Sequence, residues 1–132
     1  MKKSKLFYTT IGNKRYDIMA PSSMVGSINN IHSKNSGRSE ETGKYNGKKL
    51  AIKDKYELAW NGIKPEDAAD IIKAFGLRDV KVNYVNLHIV DIETNQMKTF
   101  KVYTGDSNYE YGPFSEDSIH YYQKLSFNVI EV

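Results

Sequence analysis

An enzyme needs side chains that move protons, attack an electrophilic centre or hold a metal, and this sequence keeps few of them in useful company. Its three histidines are His32, His88 and His120, and no two of them stand at metal-ligand spacing. There is no cysteine to complete a zinc site, to act as a nucleophile or to form a disulfide. Ser22 and Ser23 follow Pro21 and read as turn chemistry, since no Gly-x-Ser-x-Gly elbow raises a serine for attack. No phosphate-cradling Gly-x-x-x-x-Gly-Lys-Ser/Thr loop occurs, and no Gly-x-Gly-x-x-Gly follows a strand. The carboxylates Glu40 and Glu41 fall in a polar loop, and Glu66, Asp67 and Asp70 fall at a helix start. Carboxylates are expected in both places, and nothing around them suggests the apolar pocket that would raise a catalytic pKa. The expectation is a non-enzymatic chain with no cofactor and no bound metal.

The residues that stand out are suited to contact. Tyr109, Tyr111 and Phe114 fall in a segment at 105–117 that reads as a polar and aromatic loop, and large aromatics in a loop either anchor an interface or fold back on the domain as a satellite cluster. A second long loop, at about 32–46, has no apolar residue from His32 to Lys44. Ordering such a segment costs backbone entropy with no burial in return, so the expectation is either a loop that orders against a partner or a floppy insertion. Arg38, Glu40, Glu41 and Tyr45 are its candidate contact residues, beside the three aromatics of the later segment.

Composition narrows the setting. With 132 residues the chain suits one domain, 1–132, and one core. Ten Tyr and five Phe provide much of the large apolar area, a mix that fits sheets with one wet face. The formal charge of +3 is weakly basic, and lysines are interleaved with acids rather than gathered into a groove. The basic start, Met1-Lys2-Lys3-Ser4-Lys5, leads into no apolar stretch of signal-peptide length, and no window approaches the ~20 apolar residues of a membrane span.

The elements that must carry these residues are mainly strands. Leu6–Thr10 and Arg15–Met19 flank the turn signal Ile11-Gly12-Asn13-Lys14 and form a hairpin that Pro21 ends. Met24–Ile31 reads as a short strand with Met24, Gly26, Ile28 and Asn30 on one face. Lys49–Trp60 alternates strongly, with Leu50, Ile52, Tyr56, Leu58 and Trp60 expected inward, and Asn61-Gly62 should break it. One helix is expected over about 64–75. Pro65 suits its first turn, Glu66 and Asp67 suit its positive end, and Ala68, Ile71, Ile72 and Phe75 form its apolar stripe. Val80–Asp91 reads as a strand with a bulge near Val85, Glu93–Gln96 as a turn, and Lys98–Thr104 and Ile119–Val132 as further strands. About seven strands with a single helix argue for a mainly β (α+β) fold: an antiparallel β-sandwich or barrel with one flanking helix, outside it or at its mouth.

Several segments, in order, resemble the small tail proteins of long-tailed bacteriophages and prophages. They are Ala20-Pro21-Ser22-Ser23-Met24, the loop Gly37-Arg38 to Gly43, Leu58-Ala59-Trp60, the helix from Pro65 to Phe75 and Val80–Tyr84. Phe100-Lys101-Val102-Tyr103-Thr104-Gly105-Asp106 and the closing Tyr122–Glu131 complete the series. The resemblance implies a tail-tube-like β-barrel in the virion, made in the host cytoplasm. It also implies rings of copies, often hexamers, that join neighbouring tail proteins and let DNA pass as cargo through a channel. Tube, adaptor and baseplate hub all fit it. The alternatives are a small phage-derived module that binds nucleic acid or a protein, and, further off, a small enzyme.

Overall fold

The structure is a computed structural model that describes residues 3–32 and 49–132. Seven strands and one helix follow in the order β1 (Lys3–Ile11), β2 (Lys14–Met19), β3 (Ser23–His32), β4 (Lys49–Ile63), α1 (Pro65–Ala74), β5 (Val85–Val90), β6 (Met97–Tyr111) and β7 (Tyr122–Glu131). They make one antiparallel sheet in the order β2-β1-β5-β6-β7-β4-β3. The mainly β fold with one helix is as the sequence implied.

The sheet is not flat. β2 and β3 are its two outermost strands, yet only Ala20, Pro21 and Ser22 separate them in the chain. Four Cα steps reach roughly 14 Å, whereas six strand spacings in a flat sheet would put the edges about 29 Å apart. The chain therefore forces the sheet to roll until the end of β2 comes within about 14 Å of the start of β3. The roll is not closed by a β-ladder, because β2 and β3 do not pair. Side chains bridge the seam instead: the Trp60 indole Nε1–H donates to the Met19 carbonyl (2.9 Å), and the Asn61 amide donates to Ser22 Oγ (3.0 Å).

The core fills the concave side. Phe7, Trp60, Phe100 and Phe127 from the sheet meet Ile71, Ala74 and Phe75 from α1 and its C-terminus. Rings of Phe7, Trp60, Phe75 and Phe127 pack at centroid distances of 4.8–6.4 Å, the tightest being Phe75 on Phe127. The helix thus lies against the concave face, mainly over β2, β1 and β7, which settles its place relative to the sheet. Thr9, fully buried, fastens it by donating from Oγ1 to the Ala74 carbonyl at 2.6 Å, a group left free by the end of the helix.

Several boundaries depart from the sequence reading. β4 runs through Asn61-Gly62 to Ile63, because Gly62 accepts a φ of +59° and Ile63 still pairs with Tyr122. Residues 76–84 are turns rather than strand. Gly76 has a φ of +60°, and a Cβ there would meet Val82 Cγ1 at 2.6 Å. Asp79 then accepts the Lys81 amide at Oδ1, so that only Val85 onward joins the sheet and no bulge is needed near Val85. The expected loop at 105–117 is mostly strand: β6 continues to Tyr111, with its register shifting between Thr104 and Ser107 and again between Glu110 and Tyr111. The connection that remains is 112–121.

Candidate assembly surfaces

Antiparallel pairing assigns each residue to one end of the rolled sheet. Tyr111 faces Tyr122, and Ile63 faces Tyr122, so the ends of β6 and β4 and the start of β7 share one pole. Val90 faces Met97, and Lys55 faces Ile130, so the end of β5 and the middle of β4 share the opposite pole.

At the first pole the three aromatics singled out from the sequence come together. Tyr109 and Tyr111 pack edge to face at 5.5 Å, Tyr111 and Phe114 lie 5.5 Å apart, and Tyr122 completes the cluster 5.4 Å from Tyr111. Tyr111 and Phe114 are 51% and 69% exposed, too open for a satellite core. The turn beyond them is well tied. Phe114 bridges to Ile119, the Ser115 amide donates to the Ser118 carbonyl (2.8 Å), and the two seryl Oγ atoms lie 2.6 Å apart. Gly112 is required where it stands, since a Cβ would come within 2.4 Å of the Tyr121 carbonyl oxygen. The Tyr109 hydroxyl beside it, first by hydrogen bonding and then by charge, raises the Tyr111 phenol pKa.

At the second pole the sheet thins to a two-stranded arm. β4 pairs with β7 only from Lys55 onward, while β3 stays paired with β4 out to His32 and Lys49. Two strands alone are marginally stable in water, and this pair exposes Ile28, Ile31, Leu50 and Ile52. Leu50 and Ile52, expected inward by their parity, are exposed: the alternation is right, but among the described residues no core lies under that part of the strand. Between the arm and the ends of β1 and β5 opens a cleft of about 630 Å³ lined by Leu6, Phe7, Met24, Ile28, Tyr56 and Ile92, among others. The one acid among its lining residues is Asp54, which accepts from the Tyr56 hydroxyl (3.3 Å); outside the lining, Glu131 accepts the Asp54 backbone amide (3.0 Å) and Asp91 accepts from Thr94 (3.3 Å). Burial, then the Asp54 charge, raises the Tyr56 phenol far above its ordinary range.

His88 is held on the convex face, which the sequence did not reveal as a site. Its Nε2 and Nδ1 lie 2.9 Å from the hydroxyls of Thr10 and Thr99, and its ring stacks on Tyr8 at 4.3 Å with the Arg15 guanidinium 3.8 Å from the Tyr8 ring centroid. Partial burial and then Arg15 lower its pKa. With both nitrogens engaged by hydroxyls, this histidine is a sheet fastener. Ser22 likewise serves the turn through its bond to Asn61. Among the described residues no group of three or more His, Asp or Glu could hold a metal ion, and no described helix is long and apolar enough to cross a membrane. Arg38, Glu40, Glu41 and Tyr45, with the loop that bears them, lie outside the described residues.

No family model matches the chain, and no curated protein does. Several chains of solved structures share its fold, among them two from gene transfer agent particles. One is a chain from the virion of a native gene transfer agent particle: TM-score 0.57, 9% identity, covering 100% of this chain and 95% of that one. The other is from the tail of an empty gene transfer agent particle refined helically with C6 symmetry: TM-score 0.59, 10% identity, covering 96% of this chain and 90% of that one.

Proposed function

We propose that this chain is a structural protein of a phage-type tail, residing in the virion and acting by assembly rather than catalysis. The observation that carries this reading is the end-to-end likeness of its fold to a chain in a C6-symmetric particle tail. The free edges agree with it. Among the described residues β2 and β3 each leave one side of the backbone unpaired, and a ring of copies joins such edges through heterologous contacts that close by rotation. Sixfold rings that let DNA pass through a channel, with tail neighbours above and below, are the specific form proposed. The contact residues are the aromatic pole of Tyr109, Tyr111 and Phe114 and the loop residues Arg38, Glu40, Glu41 and Tyr45.

The test is sedimentation and negative-stain imaging of the purified chain over a range of concentrations, alone and with the proteins encoded beside it. Rings or tubes support the reading. A chain that stays monomeric in every mixture, yet binds DNA in a salt-sensitive way, would replace it with a nucleic-acid-binding module.

A further inference from the structure

Asn61 and Gly62 form an asparaginyl-glycine pair near the end of β4, where the ladder holds them least. Both residues are exposed, as are Gln123 and Lys124 on the neighbouring β7. The β4–β7 register pairs Asn61 with Lys124 and Ile63 with Tyr122 but passes over Gly62, which turns to a φ of +59°. The space around Gly62 is open, since a Cβ there would have no atom within 4 Å. On the other side of β4, β3 begins only at Ser23, opposite Ala59, and the Asn61 amide is met by Ser22 Oγ (3.0 Å) in place of a strand. The flanking residues, by contrast, are fixed. Trp60 is fully buried and bonded to the Met19 carbonyl, and Ile63 is buried in the core.

We infer that Asn61-Gly62 is a site of spontaneous deamidation, an irreversible covalent change placed at the root of the aromatic pole. The Gly62 backbone nitrogen, deprotonated by hydroxide, attacks Cγ of the Asn61 side chain. The new C–N bond closes a succinimide ring, the Cγ–Nδ2 bond breaks, and ammonia leaves with a proton taken from water. Water then opens the ring. Cleavage between Cγ and the Gly62 nitrogen gives aspartate, whereas cleavage between the Asn61 main-chain carbonyl carbon and that nitrogen gives isoaspartate. The sum is asparagine plus water giving a carboxylate and ammonium, with no change of oxidation state. Glycine suits the reaction because it puts no Cβ beside the attacking nitrogen. Strand ends open locally at low free energy, so the side chain and the next amide can reach each other here without global unfolding. Aspartate at 61 adds a charge opposite Lys124 and leaves the backbone unaltered. Isoaspartate inserts a methylene into the main chain between Trp60 and Ile63. With Trp60 anchored at the seam, Ile63 and its partner Tyr122 must shift, and Tyr122 lies 5.4 Å from Tyr111 in the aromatic cluster.

The test incubates the purified chain, folded and guanidinium-unfolded, in mildly alkaline buffer, followed by trypsin digestion and liquid chromatography with mass spectrometry. Asn61 is the sole asparagine of the tryptic peptide Tyr56–Lys73, because the Lys64–Pro65 bond resists trypsin. Its asparaginyl, aspartyl and isoaspartyl forms separate by retention. Both products should accumulate in the folded chain at a rate within tenfold of the unfolded chain, and faster as the pH rises. Folded conversion more than tenfold slower, or a product without isoaspartate, overturns the site. Asn61→Gln should stop the accumulation; continued product in that variant also overturns it. Asn61→Asp supplies the charge alone and should keep the parent's near-ultraviolet tyrosine circular dichroism. The isoaspartate-rich fraction, isolated by ion exchange, should lose it. An isoaspartyl chain with the parent's signal overturns the link to the aromatic pole.

Discussion

The indole Nε1 of Trp60 lies 2.9 Å from the carbonyl oxygen of Met19, and this one bond joins two strands that the sheet order places five neighbours apart. Trp60 is fully buried, so the bond is made where water cannot replace it. Replacing Trp60 with Phe keeps the ring packing on Phe7, Phe75 and Phe127 but leaves the Met19 carbonyl without its donor. An unsatisfied buried acceptor costs about 1–3 kcal/mol. Urea denaturation should show that loss, with an unchanged slope. Full stability for Trp60→Phe would mean that the seam is not held there.

Thr9 makes the second long-range fastening, from Oγ1 to the Ala74 carbonyl at the end of α1. Thr9→Val preserves shape and removes the donor. The expected loss is again about 1–3 kcal/mol, and hydrogen exchange should quicken in the last turn of α1 more than in β5 or β6.

His88 gives a pH dependence with a definite sign. Its folded pKa lies below the ordinary 6.5, so between that value and the folded pKa the unfolded chain binds more protons than the folded one. Stability is then present in full above pH 6.5 and falls as the pH drops through the window below it. His88→Gln should flatten the melting temperature profile just below pH 6.5, leaving the carboxylate titration at lower pH intact. A parent profile that is already flat between pH 5 and 7 would remove the basis for this.

The arm should separate stability from assembly. Ile28, Ile31 and Ile52 are 62%, 42% and 55% exposed, so Lys at any of them should change monomer stability by no more than about 0.5 kcal/mol. If the arm is a contact surface, the same substitutions should raise the concentration needed for rings or tubes at least tenfold in sedimentation. Unchanged assembly of Ile28→Lys together with Ile52→Lys would exclude the arm.

The turn at the aromatic pole depends on Gly112. Gly112→Ala pushes a methyl against the Tyr121 carbonyl, so the Phe114 turn must shift. The far pole should be unaffected: the expected outcome is altered tyrosine fluorescence and lost assembly, with β5 and β6 amide protection kept.

Local rules in the sequence were enough for much of this fold. The alternation of Leu58 and Trp60 against Glu57 reported a half-buried strand, the Pro65-Glu66-Asp67 start with the Ala68–Ile71–Phe75 stripe reported the helix, and Glu93–Gln96 reported a turn. Each depends on neighbours a few residues away, which is why it was legible. The aromatics at 109–114 stood out because their type is unusual for a surface, and the structure brings their rings together at one pole. What the sequence could not decide is where alternation meets a core. Leu50 and Ile52 keep the parity of Trp60 but overhang the sheet, and Tyr109 lies in a strand because Leu125 of β7 runs beside it. The rolling of the sheet, the seam at Met19 and Trp60, and the two unlike poles come from pairings between residues some forty to eighty positions apart. No period in the chain encodes those pairings; packing around the shared aromatic core selects them.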